Sequence, residues 1–325
     1  MTTVTMRHIA RLGFAATLSA LLTLPTSLGA QMVSASPTGL GMAGNNGAVA
    51  RGASALGVNP ANLGFPDNPG WSLVVPMAGV RQGISPVSLG DIADYEGRLI
   101  PDSQKDAWMQ EIEAEGGQKG LGRLELSLFA LSVGNFGFQV HTQGYADANL
   151  NPEAAELLLY GNAGRTGTPG DFSLDGSALD GSGITTFAFG GGFPVSGDGS
   201  PGSGILTLGA NLTYSVGNMV GIARDAGSQV ISDPLEVDVA FPVIHTATDE
   251  YDWNGGTGFG LDLGAAWMDG PLRLGASLAN VFNTFEFTTD NLVYRPLDIT
   301  FTEDGSSTDT DTRPIEEAPQ FLLDQ

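Results

Sequence analysis

The sequence contains no cysteine and few basic residues, and both absences narrow what the protein can be. Without cysteine there are no disulfides, thiolate nucleophiles or zinc–thiolate sites. Thirteen Lys and Arg stand against 36 Asp and Glu, for a formal net charge of −23. We therefore expect no binding to nucleic acid, whose phosphates must be neutralised by clustered basic side chains. A hydrophobic content of 42% argues against a disordered chain.

Signatures of catalysis are also missing. The chain has three histidines, far apart in sequence, at His8, His141 and His245. It has no Gly-x-Ser-x-Gly elbow, His-Glu-x-x-His helix or phosphate-binding loop. The acidic stretches 249–252 and 302–311 lack the spacing of a calcium loop, and we interpret them as solvated loops. We therefore predict no enzyme activity, no catalytic residues, no metal site and no cofactor.

The N-terminus has the organisation of a secretory signal peptide. Arg7, His8 and Arg11 precede an apolar run over residues 12–24, and small residues follow at 27–30. We predict that residues 1–30 are a cleaved signal and that the protein is exported, with a short buried helix as the alternative. No later run approaches the roughly 18 apolar residues of a membrane helix. If the mature chain spans a membrane, we expect it to do so with strands.

Alternation of apolar with small or polar residues is the strongest structural signal in the rest of the chain. Over residues 206–216, Leu, Ala, Tyr and Val alternate with Thr, Gly, Asn and Ser. Period two indicates a sheet with one apolar and one polar face. Gly134-Asn135 and Asp269-Gly270 predict tight hairpin turns. Similar alternation occurs over residues 124–128, 136–140, 187–193, 235–243, 259–267 and 272–278.

Strand length and the nature of the polar face favour a membrane barrel. The runs approach the ~9–11 residues of a tilted transmembrane strand. Alternation alone does not decide, because a soluble sandwich turns its apolar face inward and a barrel turns it outward. A polar face of Gly, Ser, Thr and Asn is typical of the water-filled lumen of a barrel. We predict an all-β fold, an antiparallel transmembrane β-barrel over residues 67–325, and expect these polar residues to face its lumen: Arg123, Glu125, Asn211, Glu236, Asp238 and Asp262.

The sequence also predicts two short helices and contains several aromatic residues near strand ends. Residues 104–115 and 152–160 have helical spacing, and Pro152 suits a first helical turn. We expect both helices in loops. Aromatic residues near strand ends fit interfacial girdles, or equally an ordinary core, and these are Trp71, Trp253, Trp267 and Tyr294.

Residues 31–66 lack clean alternation and are rich in Gly, Ala and Asn, which indicates compact non-strand structure. They contain, in order, Gly41-Met42-Ala43-Gly44, Ala53-Ser54-Ala55-Leu56 and Asn59-Pro60-Ala61. This order resembles the N-terminal signature of the long-chain fatty-acid transporter (FadL-like) superfamily of outer-membrane barrels. The chain departs from that signature in having Arg51-Gly52 where an acidic residue is common, and Asn62 where Gly is common.

The resemblance implies a fourteen-stranded barrel whose N-terminal segment plugs the lumen and gates the passage of hydrophobic compounds. On this interpretation Asn59, Pro60 and Ala61 form the plug motif, with an ordinary Asn-Pro turn as the alternative. Small residues allow backbone to pack closely inside a barrel. A weaker resemblance to related uncharacterised barrels covers residues 257–285.

About eight or nine candidate strands precede the final residues, 318–325, which do not resemble a closing strand ending in an aromatic residue. We expect further strands beyond Gln325, with a smaller barrel as the alternative. The predicted function is that of an outer-membrane barrel, in contact with outer-membrane lipid, that passes or binds hydrophobic small molecules. Two alternatives stay open: a non-transporting outer-membrane anchor for surface assembly, secretion or attachment, and an exported soluble β-sandwich.

Overall fold

The computed structural model describes residues 46–200, 202–247 and 255–324, which belong to one compact unit, Val33–Gln325. The predicted signal peptide, the first part of the plug segment at 31–45, Trp253 and the acidic stretch 249–252 lie outside the described residues. The described chain is mostly antiparallel strand, which confirms the all-β prediction at that level. No helix in these ranges is both long enough and apolar enough to cross a bilayer.

The described strands range from two residues to 20. They are β1 (Trp71–Val74), β2 (Met77–Ser85), β3 (Gln118–Val133), β4 (Phe136–Leu150), β5 (Phe172–Ser173), β6 (Ala178–Ser196), β7 (Ile205–Arg224), β8 (Gln229–Ser232), β9 (Leu235–Ala240), β10 (Val243–Thr246), β11 (Gly256–Asp269), β12 (Leu272–Asn283), β13 (Glu286–Phe287), β14 (Leu292–Arg295), β15 (Asp298–Thr302), β16 (Gly305–Asp309) and β17 (Arg313–Pro314).

The long strands form one antiparallel meander. β1 and β2 pair with successive parts of β3, after which β3, β4, β6, β7, β11 and β12 follow as neighbours. The predicted hairpins at Gly134-Asn135 and Asp269-Gly270 are confirmed, since they join β3 to β4 and β11 to β12. The C-terminal end of β7, at residues 221–223, pairs instead with β10, and β10 pairs with β14.

The two ends of this sheet differ. At one end, called the turn end, the connections are short, at 134–135, 197–204 and 270–271. At the other, called the loop end, residues 86–117, 151–177, 225–242 and 288–319 form long connections. They carry the helices α1 (Leu89–Ala93), α2 (Asp102–Glu115) and α3 (Pro152–Tyr160), and α4 (Gln320–Leu323) follows the last of them. The predicted helices at 104–115 and 152–160 are confirmed as α2 and α3.

The loop-end connections are folded and have a core of their own. Trp108, Met109 and Ile112 of α2 pack against Val87 and against Ala155 of α3. A separate five-stranded sheet runs in the order β16-β15-β9-β8-β5. The stretch 302–311, interpreted above as a solvated loop, contains the exposed strand β16 and part of β15.

One predicted strand proves to be two strands in different sheets. Residues 235–243 alternate continuously, but β9 lies in the small sheet and β10 begins at Val243 in the main sheet. Pro242 separates them, because it has no N–H to donate to a ladder. The polar residues of β9 therefore lie outside the main sheet.

The main sheet curves strongly. Asp67 contacts Arg273 of β12, while its neighbour Asn68 donates to the carbonyl of Gly134 in the β3–β4 turn. β4 and β12 are four strand spacings apart, about 19 Å along the sheet. Because adjacent residues reach both, the sheet must bend around them. In the described ranges no strand pairs with the outer sides of β2 and β12, so the meander of long strands has a free edge at each end.

Candidate functional site

One face of the curved sheet, called the outer face, exposes apolar side chains. Leu212 of β7 is 66% exposed and Phe259 of β11 is 64% exposed. The registers of five strand pairs place a continuous apolar row across the sheet. Its members are Leu131, Phe138, Phe189, Leu212, Leu261 and Phe282.

The opposite face, called the inner face, buries polar and small side chains. Thr207, Asn211 and Thr213 alternate along β7 with the exposed apolar residues, and their exposures are 0%, 1% and 9%. Gln139 of β4 and Thr186 of β6 are buried on the same face. Burial is thus inverted relative to a soluble protein, in which large apolar side chains are preferentially buried and polar ones are mostly exposed.

The inner face is covered by residues 46–65, called the N-terminal segment. Short 3-10 helices form at Gly52–Ala55 and Pro60–Gly64. Asn59 begins the second one because its side-chain oxygen accepts the N–H of Ala61 at 3.1 Å, and Pro60 supplies a φ suited to the first turn. The two helices contact β1, β3 and β4, and β6, β7 and β11, respectively.

Buried asparagines join the segment to the sheet. The amide nitrogen of Asn59 lies 3.1 Å from the carbonyl oxygen of Ala265 and 3.3 Å from that of Ala276, so it bridges β11 and β12. From the sheet side, the Asn211 amide donates to the carbonyl of Leu56 at 2.7 Å. Both asparagines are buried, and these bonds satisfy the donors of their side-chain amides. The segment is therefore held by directional bonds as well as by packing.

Three glycines allow the segment to approach so closely. Gly192, Gly209 and Gly264 occupy matching register positions on β6, β7 and β11. A Cβ at any of them would lie under 3.0 Å from an atom of Asn59, Pro60 or Ala61. Real Cβ atoms essentially never come that close, so larger residues would displace the segment. The Asn-Pro-Ala motif thus rests on a row of glycines.

An ion cluster ties the segment to β12, at one end of the meander. The Asp67 carboxylate forms an ion pair with Arg51 of the segment at 3.0 Å and a second one with Arg273 of β12 at 2.9 Å. Partial burial raises the pKa of Asp67, but the hydrogen bonds and charges of both arginines outweigh it and hold the pKa below its ordinary value. Arg51 also lies over the Phe65 ring, 4.7 Å from its centre.

The polar residues that the sequence singled out fall into two groups. Asn211 and Asp262 stand opposite each other on the inner face, and Arg123 and Glu125 lie on the same face of β3. Glu236 and Asp238 were expected on that face, but they lie on β9 in the small sheet, where Asp238 accepts from Thr300. The difference follows from the break at Pro242.

Two further observations concern residues that sequence patterns left undecided. Gln139 and His141 lie on the inner face between Asn211 and the loop end, as their alternation with Phe138 and Val140 indicates. Trp71 is 69% exposed on the outer face near the turn end, a position compatible with a girdle. Tyr294 is buried against Ile244 and Leu322, which makes it a core residue.

No protein-family model, no curated protein and no solved structure matches this chain.

Proposed function

We propose that this protein is an outer-membrane β-barrel whose outer face meets lipid and whose inner face surrounds the N-terminal segment. The inverted burial carries the proposal. Leu212, Phe259 and Phe189 are each more than half exposed, whereas Asn211 and Thr207 are buried under the segment. In water, such a face would be an apolar patch of a size that monomeric proteins rarely expose. In a bilayer it is the surface that lipid requires.

The height of the apolar band supports the same proposal. Along β7 the apolar outer-face positions extend from Leu206 to Met219. Thirteen residue steps at about 3.3 Å cover about 43 Å of strand, and a tilt of about 45° reduces this to about 30 Å. That equals the thickness of a bilayer hydrocarbon core. The short connections at one end and long ones at the other also match the asymmetry of outer-membrane barrels.

Fractionation and gel migration test this proposal. Expressed with its N-terminal residues in a Gram-negative host, the full chain should be recovered with outer membranes. It should resist carbonate extraction and migrate faster on a denaturing gel when unheated than when boiled. Recovery as a monomer without detergent, with migration insensitive to heat, would contradict the membrane assignment and favour a soluble β-sandwich.

A second candidate function is passage of hydrophobic small molecules, controlled by the N-terminal segment. The segment contacts β1, β3, β4, β6, β7, β11 and β12, so it obstructs the turn end of the inner face. The nature of the cargo rests on the resemblance of Ala53-Ser54-Ala55-Leu56 and Asn59-Pro60-Ala61 to the fatty-acid transporter signature. The alternative is an anchor, in which the segment only fills the interior and the acidic loops carry the function.

An engineered disulfide separates these two candidates. The chain has no cysteine, so Leu56→Cys with Gly137→Cys introduces the only pair. A Cβ at position 137 would lie 3.1 Å from Cγ of Leu56, which a cysteine sulfur would replace, and this separation suits a disulfide. Oxidation should abolish uptake of a labelled hydrophobic compound, and reduction should restore it. Each single variant serves as a control. Equal uptake in cells with and without the protein would favour the anchor.

A further inference from the structure

The small sheet at the loop end finishes in an unpaired edge strand. β16 pairs with β15 on one side, and in the described ranges no strand pairs with its other side. Four of its five residues, from Gly305 to Thr308, are exposed. Alternate residues of such a strand direct their N–H and C=O groups away from the sheet. β16 therefore offers a row of backbone donors and acceptors with which a further strand can pair.

One face of the small sheet is apolar and lies open beside this edge. The strand registers place on it Leu235, Val237, Val239, Ile299 and Phe301. Towards β5 the same face is covered, since Val230 and Phe172 are buried. Towards β16 it is not, and Phe301 is 53% exposed. Ser306, the edge residue opposite Phe301, is too small to cover the ring. An added strand would place its own side chains there.

The other face of the small sheet is acidic beside the same edge. Asp309 of β16 stands opposite Asp298 of β15, and Asp238 of β9 lies on the same face. Partial burial raises the pKa of Asp298, and the charges of Asp309 and Asp238 raise it further, more than Arg313 lowers it. Arg313 is the ion partner of Asp309, and the ion pairs of the described residues include neither Asp298 nor Asp238. A cation at this face would relieve the repulsion.

The charge of the whole loop end selects the sign of the partner. Its four long connections contain 24 Asp and Glu against five Lys and Arg. Such a surface attracts cationic partners and repels anionic ones. Charge on a strand edge also serves to keep unrelated strands away. That protective role needs no open apolar face next to the edge, whereas a bound strand uses both faces.

We propose that β16 binds an extended peptide segment in which basic and apolar side chains alternate, as an added strand of the small sheet. Successive side chains of a strand point to opposite faces, so alternation directs the basic ones to Asp298 and Asp309 and the apolar ones to Phe301. Backbone hydrogen bonds to the edge supply affinity, and the two faces supply specificity. This binding depends neither on membrane insertion nor on the N-terminal segment.

Calorimetric titration of the purified full chain in non-ionic detergent tests the proposal. The probe is an acetylated and amidated hexapeptide of alternating lysine and valine, which should bind saturably and more weakly in added salt. Three peptides serve as comparisons: the same residues in two blocks, alternating glutamate and valine, and the probe with methylated backbone nitrogens. Each should bind more weakly, because it lacks the alternation, the positive charge or the backbone donors, respectively.

Variants of the chain locate the site. Ser307→Lys places a positive charge on the acidic face of β16 and should weaken binding of the probe about tenfold. Phe301→Ser removes the exposed ring and should weaken binding by a similar factor. Ser103→Lys is the matched control, since it makes the same change at an exposed position of α2 at the loop end, away from β16. It should bind the probe like the natural chain.

Circular dichroism of all three variants checks that they are folded. Four results would overturn the proposal: no saturable binding of the probe, equal binding of any comparison peptide, unchanged binding by Phe301→Ser, or equal effects of Ser307→Lys and Ser103→Lys. The last would show that the peptide responds only to net charge. An absence of binding would leave edge protection as the role of the acidic residues.

Discussion

Replacing Leu212 with arginine distinguishes a lipid-facing sheet from a water-facing one. Leu212 lies near the middle of the apolar band on β7 and is 66% exposed. Its register neighbours Phe189 and Leu261 are apolar and face the same way. If water covers this face, Leu212→Arg changes the free energy of unfolding by at most about 0.5 kcal/mol. If lipid covers it, the change is about 2–4 kcal/mol, the cost of arginine near the bilayer midplane.

The matched control is Leu99→Arg. Leu99 lies in the connection between α1 and α2 at the loop end and is 96% exposed, so the proposal places it in water. The same chemical change there should alter the free energy of unfolding by no more than about 0.5 kcal/mol. Denaturant titration of both variants in lipid vesicles, followed by tryptophan fluorescence, measures the difference. Equal, small effects at both positions would refute the lipid-facing assignment.

Three further predictions concern the N-terminal segment. Asn59→Asp keeps the oxygen that caps the 3-10 helix but removes the N–H donor to the carbonyls of β11 and β12. A protease should therefore cleave the N-terminal segment faster in this variant than in the natural chain. An unchanged cleavage rate would show that those hydrogen bonds do not hold the segment. Gly209→Ala should lower the free energy of unfolding by about 1–3 kcal/mol, because the added Cβ clashes with Ala61. Gly83→Ala is the control and should be tolerated, since a Cβ there meets nothing within 4 Å. Equal urea midpoints for the two variants would contradict the close packing at Gly209. Because the pKa of Asp67 is lowered on folding, its ion cluster stabilises the chain above the ordinary value of 3.8, and that contribution is lost as pH falls through the folded pKa. The difference in Tm between the natural chain and Asp67→Asn should therefore be present at neutral pH and shrink below that value, and a difference independent of pH would exclude the charge as its source.

Local signals in the sequence were sufficient to predict the hairpin turns and the loop helices. The turn chemistry of Gly134-Asn135 and Asp269-Gly270 acts over a few residues, and the predicted hairpins form there. The helix at Pro152–Tyr160 likewise depends on its own cap, since Asn151 accepts the N–H of Ala154. Over residues 235–243, alternation predicted one strand where there are two, because alternation does not encode which sheet a strand joins.

The candidate site needed long-range information. The alternation on β6, β7 and β11 already places Gly192, Gly209 and Gly264 on the polar face, but their common row depends on the register between strands. The sequence alone does not show this row, because residues brought together by strand pairing are separated by tens of positions along the chain.

By itself, the amino-acid sequence determined that the long strands have two chemically different faces, since a side-chain period of two follows from strand geometry alone. It also determined the hairpin turns and the loop helices. Only the tertiary structure decided that the polar face is the concave, covered one. The reason is that alternation is unchanged when a sheet is turned over, whereas the bonds of Asn59 and Asn211 and the glycine row under Asn59-Pro60-Ala61 bring the N-terminal segment to one face only.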